Sequence, residues 1–189
     1  MPRTYVIRTF KYRIYPTDSQ RIKLLSTISD CRWLYNYLLE HKKLYYATHG
    51  KNVPLYEQQK LIKELKREMP SLKFVYAQVL QNVAVRVDLA FKSFFRRVKA
   101  GNEKVGFPRF KGAGQYDSFC YPQYRDKIGI DGDGVNLPGF GIIKAKLHRK
   151  ISGKPKTICV KVEKNGKWFV TVSCEIESET SLALPGNQV

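Results

Sequence analysis

The sequence predicts an α+β chain built as one strand, then helices, then a run of strands. Three observations carry that expectation. Residues 4–15 alternate polar and apolar side chains with a period of two; residues 17–98 repeat apolar positions every three or four; beyond residue 111 the period returns to two, broken by Gly and Pro. The switch from helix to strand falls at Gly106-Phe107-Pro108-Arg109-Phe110-Lys111. Positive charge crowds this region: seven Lys and Arg from Lys92 to Lys111 stand against Glu103 alone, with Phe91, Phe94, Phe95, Phe107 and Phe110 interleaved.

Taken in order, Thr4–Tyr15 reads as a strand with Phe10, Tyr12, Ile14 and, further back, Val6 on one face. Lys11, Arg13 and Tyr15 make a basic and aromatic face on the other side. Pro16 ends it. Thr17 and Gln20 have capping-box spacing, so a helix starts there. It runs to about Ala47, with a stripe of Ile22, Leu25, Ile28, Cys31, Tyr35, Leu38 and Leu39, and His49-Gly50 stops it. A second helix covers about 55–68 with Leu61 and Leu65 inward, and Pro70 ends it. The third, about 74–98, puts Leu80, Val83, Ala84, Val87, Ala90, Phe91 and Phe94 on one face. Gln78, Gln81, Asp88 and Lys92 lie on the other, with Arg96 and Arg97 at the C-terminal end, where cations suit the helix dipole.

Strands are expected at 118–121, 128–130, 142–148, 157–163 and 168–176. Face matching sets the register of the last pair. A two-residue Asn165-Gly166 turn would put Val162 opposite Phe169 and mix polar with apolar faces. A three-residue loop, Lys164-Asn165-Gly166, pairs Val162 with Trp168, Val160 with Val170 and Ile158 with Val172 on one apolar face. It places Gly166 in the left-handed region, Lys161 outward and Cys174 inward.

A formal charge of +18 on 189 residues points to a polyanionic partner, because so much charge of one sign costs self-repulsion in the folded state. No apolar run reaches the roughly 18 residues a membrane span needs, and the N-terminus lacks a signal-peptide core. A cytoplasmic protein without a membrane partner is expected. Cys31, Cys120, Cys159 and Cys174 form no close pair, so reduced structural thiols are expected rather than a zinc site. Asp131-Gly-Asp133-Gly-Val-Asn136 fails as a calcium loop because position five is Val135 and position twelve Ile142; it reads as a glycine-rich connection. No nucleophile elbow, phosphate-binding glycine loop or catalytic carboxylate cluster is present. From Lys144 to Lys167 nine basic residues face one acid, Glu163, and Lys144, Lys146 and His148 alternate with Ile143, Ala145 and Leu147. A one-sign sheet face of this kind favours phosphate binding, which gives affinity and salt sensitivity without sequence choice.

Several phrases in fixed order carry a resemblance: Phe10-Lys-Tyr-Arg-Ile-Tyr-Pro-Thr17, Cys31-Arg-Trp-Leu-Tyr-Asn36, Leu80-Gln-Asn82, Ala90-Phe-Lys-Ser-Phe-Phe95, Gly106-Phe-Pro-Arg-Phe-Lys111, Leu137-Pro138 and Gly166-Lys-Trp-Phe169. Together they resemble the N-terminal lobe of TnpB, the transposon-encoded RNA-guided DNA nuclease family related to type V CRISPR effectors. The resemblance implies a wedge β-barrel, oligonucleotide-binding-like, from residues 1–16 and 107–177, interrupted by a helical recognition insertion at 17–106, with 178–189 a linker towards a nuclease domain. It implies guide RNA and target double-stranded DNA as partners, with guide pairing supplying most sequence choice. Tyr56, Gln81, Asn82, Cys120 and Tyr121 match DNA-motif readers; an amide such as Gln81 can pair with adenine through two hydrogen bonds. Lys11, Arg13, Tyr15, Arg96, Arg97, Arg109, Lys111, Lys144, Lys146 and Arg149 match positions that hold nucleic-acid backbone. Phe107 and Phe110 are expected to pack into the barrel and anchor the seam. The family's two-metal carboxylates and zinc ribbon lie beyond Val189, so no catalytic or metal residues are expected here. Mg2+ and Zn2+ are expected only in the C-terminal part, which a separate nuclease-domain chain could supply.

Overall fold

The computed structural model describes residues 4–101, 105–125 and 128–178. The expected linker at 178–189 falls almost wholly outside them. β1 (Thr4–Tyr15) leads into α1 (Asp18–His49), α2 (Leu55–Glu68), a 3-10 turn (Pro70–Lys73) and α3 (Ala77–Lys99). Then come β2 (Ser118–Tyr121), β3 (Gly129–Asp131), β4 (Gly134–Leu137), β5 (Gly141–Lys146), β6 (Lys154–Val162) and β7 (Trp168–Ser178).

The seven strands form one antiparallel sheet in the order β2-β6-β7-β1-β5-β4-β3. It is a curled half-barrel, and its two edges, β2 and β3, are not paired with one another. The expected antiparallel barrel is present as this half-barrel. The curl instead brings edge strand β2 against the β4–β5 turn through side chains: Phe119 stacks on Phe140 at 5.9 Å and the Tyr121 hydroxyl donates to the Pro138 carbonyl at 3.2 Å. β4 occupies the stretch expected to be a glycine-rich connection. Its Val135 and Leu137 are buried, and the Asp131–Gly134 turn is tight enough that no longer linker is needed.

Alternation sets the inner face, with Phe10, Tyr12 and Ile14 buried on β1 and Val160, Val170, Val172 and Cys174 behind them. Val6 shares their parity but is 47% exposed, as are Tyr5 at 52% and Ile7 at 65% beside it, so burial on β1 begins only at Phe10. Val162 pairs with Trp168, Val160 with Val170 and Ile158 with Val172, as face matching requires. Glu163 and Lys167 close the loop, and Gly166 lies at φ 75°. A Cβ at that φ costs about 1–2 kcal/mol, so Gly166→Ala is expected to lower the thermal midpoint by roughly 2–8 °C. An unchanged melting curve would contradict this.

α1 begins with both halves of a capping box: the Gln20 amide donates to Thr17 Oγ1 at 3.3 Å and the Thr17 amide to Gln20 Oε1 at 3.0 Å. Gly50, left-handed at φ 63°, ends it. The inward stripe centres on Leu24, Ile28, Cys31, Leu34, Tyr35 and Leu38. Ile22 and Leu25 lie outside it, 68% and 47% exposed; at 100° per residue they point well away from the Leu24–Ile28–Cys31 line. α3 starts three residues later than expected, since the 3-10 turn after Pro70 takes up the chain before Tyr76.

Asp88 is also inward. It is 6% exposed and sits 2.9 Å from the buried Lys42 ammonium and 2.8 Å from Lys92. Burial alone would raise its pKa; hydrogen bonds and charge from Lys92 and Lys42 outweigh this and hold the carboxyl below its ordinary range. The buried residues of helices and sheet form one continuous hydrophobic cluster, bridged by Tyr35 against Tyr116 and Tyr76 against Tyr121.

Candidate nucleic-acid interface

The outer sheet face gathers cations from strands distant in sequence. Register sets Lys146 opposite Arg13, Arg13 opposite Phe169, and Phe169 opposite Lys161, so four side chains stand abreast across β5, β1, β7 and β6. Neighbouring strands lie about 4.8 Å apart. Lys144 faces Tyr15 in the next rank, and Lys11 faces Thr171. Two cations lie over rings: Lys11 is 4.1 Å from the Phe169 centroid and Arg13 is 5.0 Å from that of Tyr15. Lys11 also pairs with Glu163 at 2.7 Å, and Lys161 with Asp117 at 3.1 Å. That hydrogen bond from Lys11, ahead of the charge of Lys11 and Lys161, draws the Glu163 carboxyl below its ordinary range despite partial desolvation. Arg13, Lys144 and Lys146 have no ion-pair partner among the described residues.

Arg149 does not join this face. Its carbonyl accepts from the Tyr12 hydroxyl at 2.9 Å and its guanidinium lies 5.1 Å from the Phe10 ring, on the inner side of the sheet. His148 also leaves the expected trio, since the strand stops at Lys146 and the imidazole tilts onto Tyr12 at 5.4 Å.

A second assembly forms where α3 runs beside edge strand β2. Arg86 donates to the Ser118 carbonyl at 2.7 Å and contacts Cys120 Sγ at 3.1 Å. Gln78 donates to Gln123 Oε1 at 3.0 Å, and Arg125 donates to the same oxygen. Gln78, Asn82 and Arg86 follow one another at four-residue spacing, which places Asn82 on the side of α3 towards β2, with Gln81 exposed beside it. The helix–strand seam therefore collects Gln81, Asn82 and the Cys120 segment. Sequence reading missed Arg86, Gln123 and Arg125 and placed Gln78 only on the polar side of the third helix. The four-residue spacing 78/82/86 was the one signal in the sequence.

Two expected readers do not stand free at this seam. Tyr121 is fully buried, with its ring against Tyr76 and its hydroxyl on Pro138; burial drives its pKa far up. Cys120 is disulfide-bonded to Cys159, its direct partner across the β2–β6 ladder. The expected reduced thiols are thus corrected for this pair. Antiparallel register points both Cβ atoms to the same face, a closeness that separation by 39 residues conceals. Cys31 and Cys174 are free and buried. Tyr56 is 55% exposed on α2, donating to Glu57 at 2.9 Å with Lys60 over its ring; among the described residues no hydrogen bond or ring contact ties it to the α3–β2 seam.

The stretch at 105–111 forms a strap along the helices. Asn36 grips it by two bonds to the Lys111 backbone, at 2.8 and 3.0 Å, and Arg97 donates to the Gly106 carbonyl at 3.4 Å. Phe107 packs edge-on against Phe91 and Phe94, not into the barrel, which corrects its expected place; Phe110 also lies on the helices. Arg96 and Arg109 are exposed, Lys111 half-buried. Among the described residues no helix is long and apolar enough to cross a membrane. Nor do three or more His, Cys, Asp or Glu side chains gather where they could hold a metal ion.

Comparison with known proteins shows what the chain is similar to. Residues 1–51 match HTH_OrfB_IS605, described as a helix-turn-helix domain, although here residues 4–49 form one strand and a single continuous 32-residue helix. The chain is 28% identical over 176 residues to "Putative RNA-guided DNA endonuclease InsQ" of Escherichia coli strain K12, covering 92% of this chain and 42% of that protein. It is 25% identical over 178 residues to "Putative RNA-guided DNA endonuclease" of Streptomyces pristinaespiralis, covering 90% and 42%. The chain thus spans less than half the length of these curated relatives. A chain of the cryo-EM structure of the Cas12f1-sgRNA-target DNA complex superposes with a TM-score of 0.40 and 15% identity, over 92% of this chain and 49% of that one, too loose a likeness to support more. In sequence the chain is thus similar to part of two putative RNA-guided DNA endonucleases. The sequence matches agree with the resemblance to TnpB.

Proposed function

We propose that this chain is a nucleic-acid-binding lobe of an RNA-guided, transposon-associated DNA endonuclease. In this reading the sheet is the wedge, 17–106 the recognition insertion, and the lobe works in the cytoplasm. The outer sheet face grips the guide RNA scaffold, while Gln81 and Asn82 at the α3–β2 seam read the short DNA motif flanking the target. The observation that carries the reading is the rank of Lys146, Arg13, Phe169 and Lys161 across four strands, with unpaired cations beside it. Cations so placed neutralise phosphates, and rings between them accept stacked bases or sugars. The names of the relatives supply the RNA-guided part. Phosphodiester cleavage, with the Mg2+ its carboxylates would hold and a zinc ribbon, is assigned to a part beyond the described residues, whether in the same chain or a separate one.

Purification from the native host, followed by sequencing of the bound nucleic acid, tests this. A single structured RNA encoded beside the gene supports the reading; random fragments count for a general binding protein and against it. Gln81→Ala is expected to relax preference at the flanking motif, with a loss of about 1–3 kcal/mol on the preferred sequence. RNA affinity and its salt slope should stay as in the parent. Equal losses on RNA and DNA would remove Gln81 from the reading role.

A further inference from the structure

The strap at 105–111 holds two phenylalanine rings in a way that core packing does not account for. Phe107 and Phe110 are 43% and 48% exposed, although the segment carrying them is clamped by Asn36 and Arg97. Between them stands one cation. Lys43 Nζ lies 5.1 Å from the Phe107 centroid and 4.5 Å from that of Phe110, and it has no ion-pair partner among the described residues. A cavity opens on each side of this lysine. One, of about 520 Å³, is walled by Phe94, Phe95, Phe107 and Tyr46 with the Asn52 amide at its edge. The other, of about 270 Å³, is walled by Phe110, Trp33 and Tyr37, the last two stacked at 5.3 Å, with Arg32 and Glu40 beside them.

We infer that this cleft takes two consecutive unpaired nucleotides of a bound single strand. One base stacks on Phe107, the next on Phe110, and the phosphate joining them rests on Lys43. The inference rests on the nucleic-acid reading above but concerns a different surface, on the helical side. Three features favour a single strand. Half-exposed aromatic faces reward any base equally and are useless to a duplex, whose bases are already stacked. Among the lining residues the cations Lys43 and Arg32 outnumber the single acid, Glu40, which suits a chain carrying one phosphate per base. The clamp on the Lys111 backbone holds the rings in place before binding, so little ordering is lost on contact. An acidic peptide could match the charge but would leave the paired flat faces unused.

The full chain is titrated with a labelled oligouridine and with a duplex of equal length, across a range of salt. Phe110→Leu keeps apolar bulk and removes the flat face. It is expected to weaken oligouridine binding by about 5- to 150-fold, as loss of one stacked base does. Duplex affinity and the salt slope should be unchanged, because no phosphate contact is lost. Phe107→Leu should act in the same direction, and far-UV circular dichroism of both variants checks that they fold. Trp33 supplies a second readout, since Trp168 is buried: oligouridine should quench fluorescence in the parent and not in Trp33→Phe. Unchanged oligouridine affinity in the Phe110 variant overturns the inference, as does an equal loss on duplex. A poly-glutamate peptide that binds as tightly as oligouridine, and is equally indifferent to Phe110→Leu, overturns it in favour of a peptide groove. If the parent binds neither nucleic acid, the functional reading falls together with this one; if duplex binding survives and only the cleft fails, that reading stands.

Discussion

Replacing Asp88 by Ala is expected to destabilise the protein by about 3–5 kcal/mol, because it strands the buried Lys42 ammonium without its counter-charge. For a chain of this size that is a fall in thermal midpoint of about 6–20 °C. Lys42 has essentially no exposed surface and is 2.9 Å from the Asp88 carboxylate, with the Phe91 ring 5.1 Å away. Among the described residues Lys42 pairs with no other carboxylate. The pH dependence follows from the sign of the Asp88 shift. Its folded pKa is depressed, so its stabilisation is fully present above the ordinary carboxylate value of about 4. It is lost as pH falls below that value and through the lower, folded one. Acid unfolding of the parent should therefore include a contribution in that window which Asp88→Ala lacks. Replacing both partners, as Lys42→Met with Asp88→Leu, is expected to cost far less than either single change, since an apolar pair of similar volume removes both desolvation penalties. A double variant as unstable as Asp88→Ala would show that the pair does more than neutralise itself.

The second large effect concerns binding. Arg13→Gln, Lys144→Gln and Lys146→Gln together remove the outer-face cations that have no acidic partner. If each neutralises one phosphate, the slope of log affinity against log salt should shrink by about 2 to 3 units. All three side chains are exposed, so stability should move by no more than about 0.5 kcal/mol for each. Arg149→Gln is the internal control: it lies across the sheet from the other three, over Phe10, and should leave the slope nearly unchanged. A triple variant with the parental slope would move the interface away from the sheet, and a loss confined to Arg149→Gln would place it on the inner face.

The elements whose logic is local were legible in the residues. The capping box at Thr17 and Gln20, the left-handed stop at Gly50 and the β6–β7 register each follow from short-range geometry: a side chain reaching three residues, a φ that Gly alone tolerates cheaply, a period of two that admits one loop length. The outward basic parity of Lys11, Arg13, Lys144 and Lys146 was legible for the same reason. β4 was hidden because two glycines and a proline flank a strand of four residues, too short for alternation to register.

Relations between distant segments were beyond the sequence. It placed Arg13 and Lys146 on outward faces, but only strand pairing set them abreast with Phe169 and Lys161 in one rank. It left Asp88 on the polar side of α3, and the fold turned that position inward because Lys42, 46 residues away, arrives to neutralise it. It kept Cys120 and Cys159 apart and made Tyr121 a reader; the β2–β6 ladder joins the first two, and the curl of the sheet buries the third beneath the β4–β5 turn. Local periodicity carries which way a side chain faces. What it faces depends on long-range packing, and packing also left Phe107 and Phe110 on the helices, half in water on either side of a lysine.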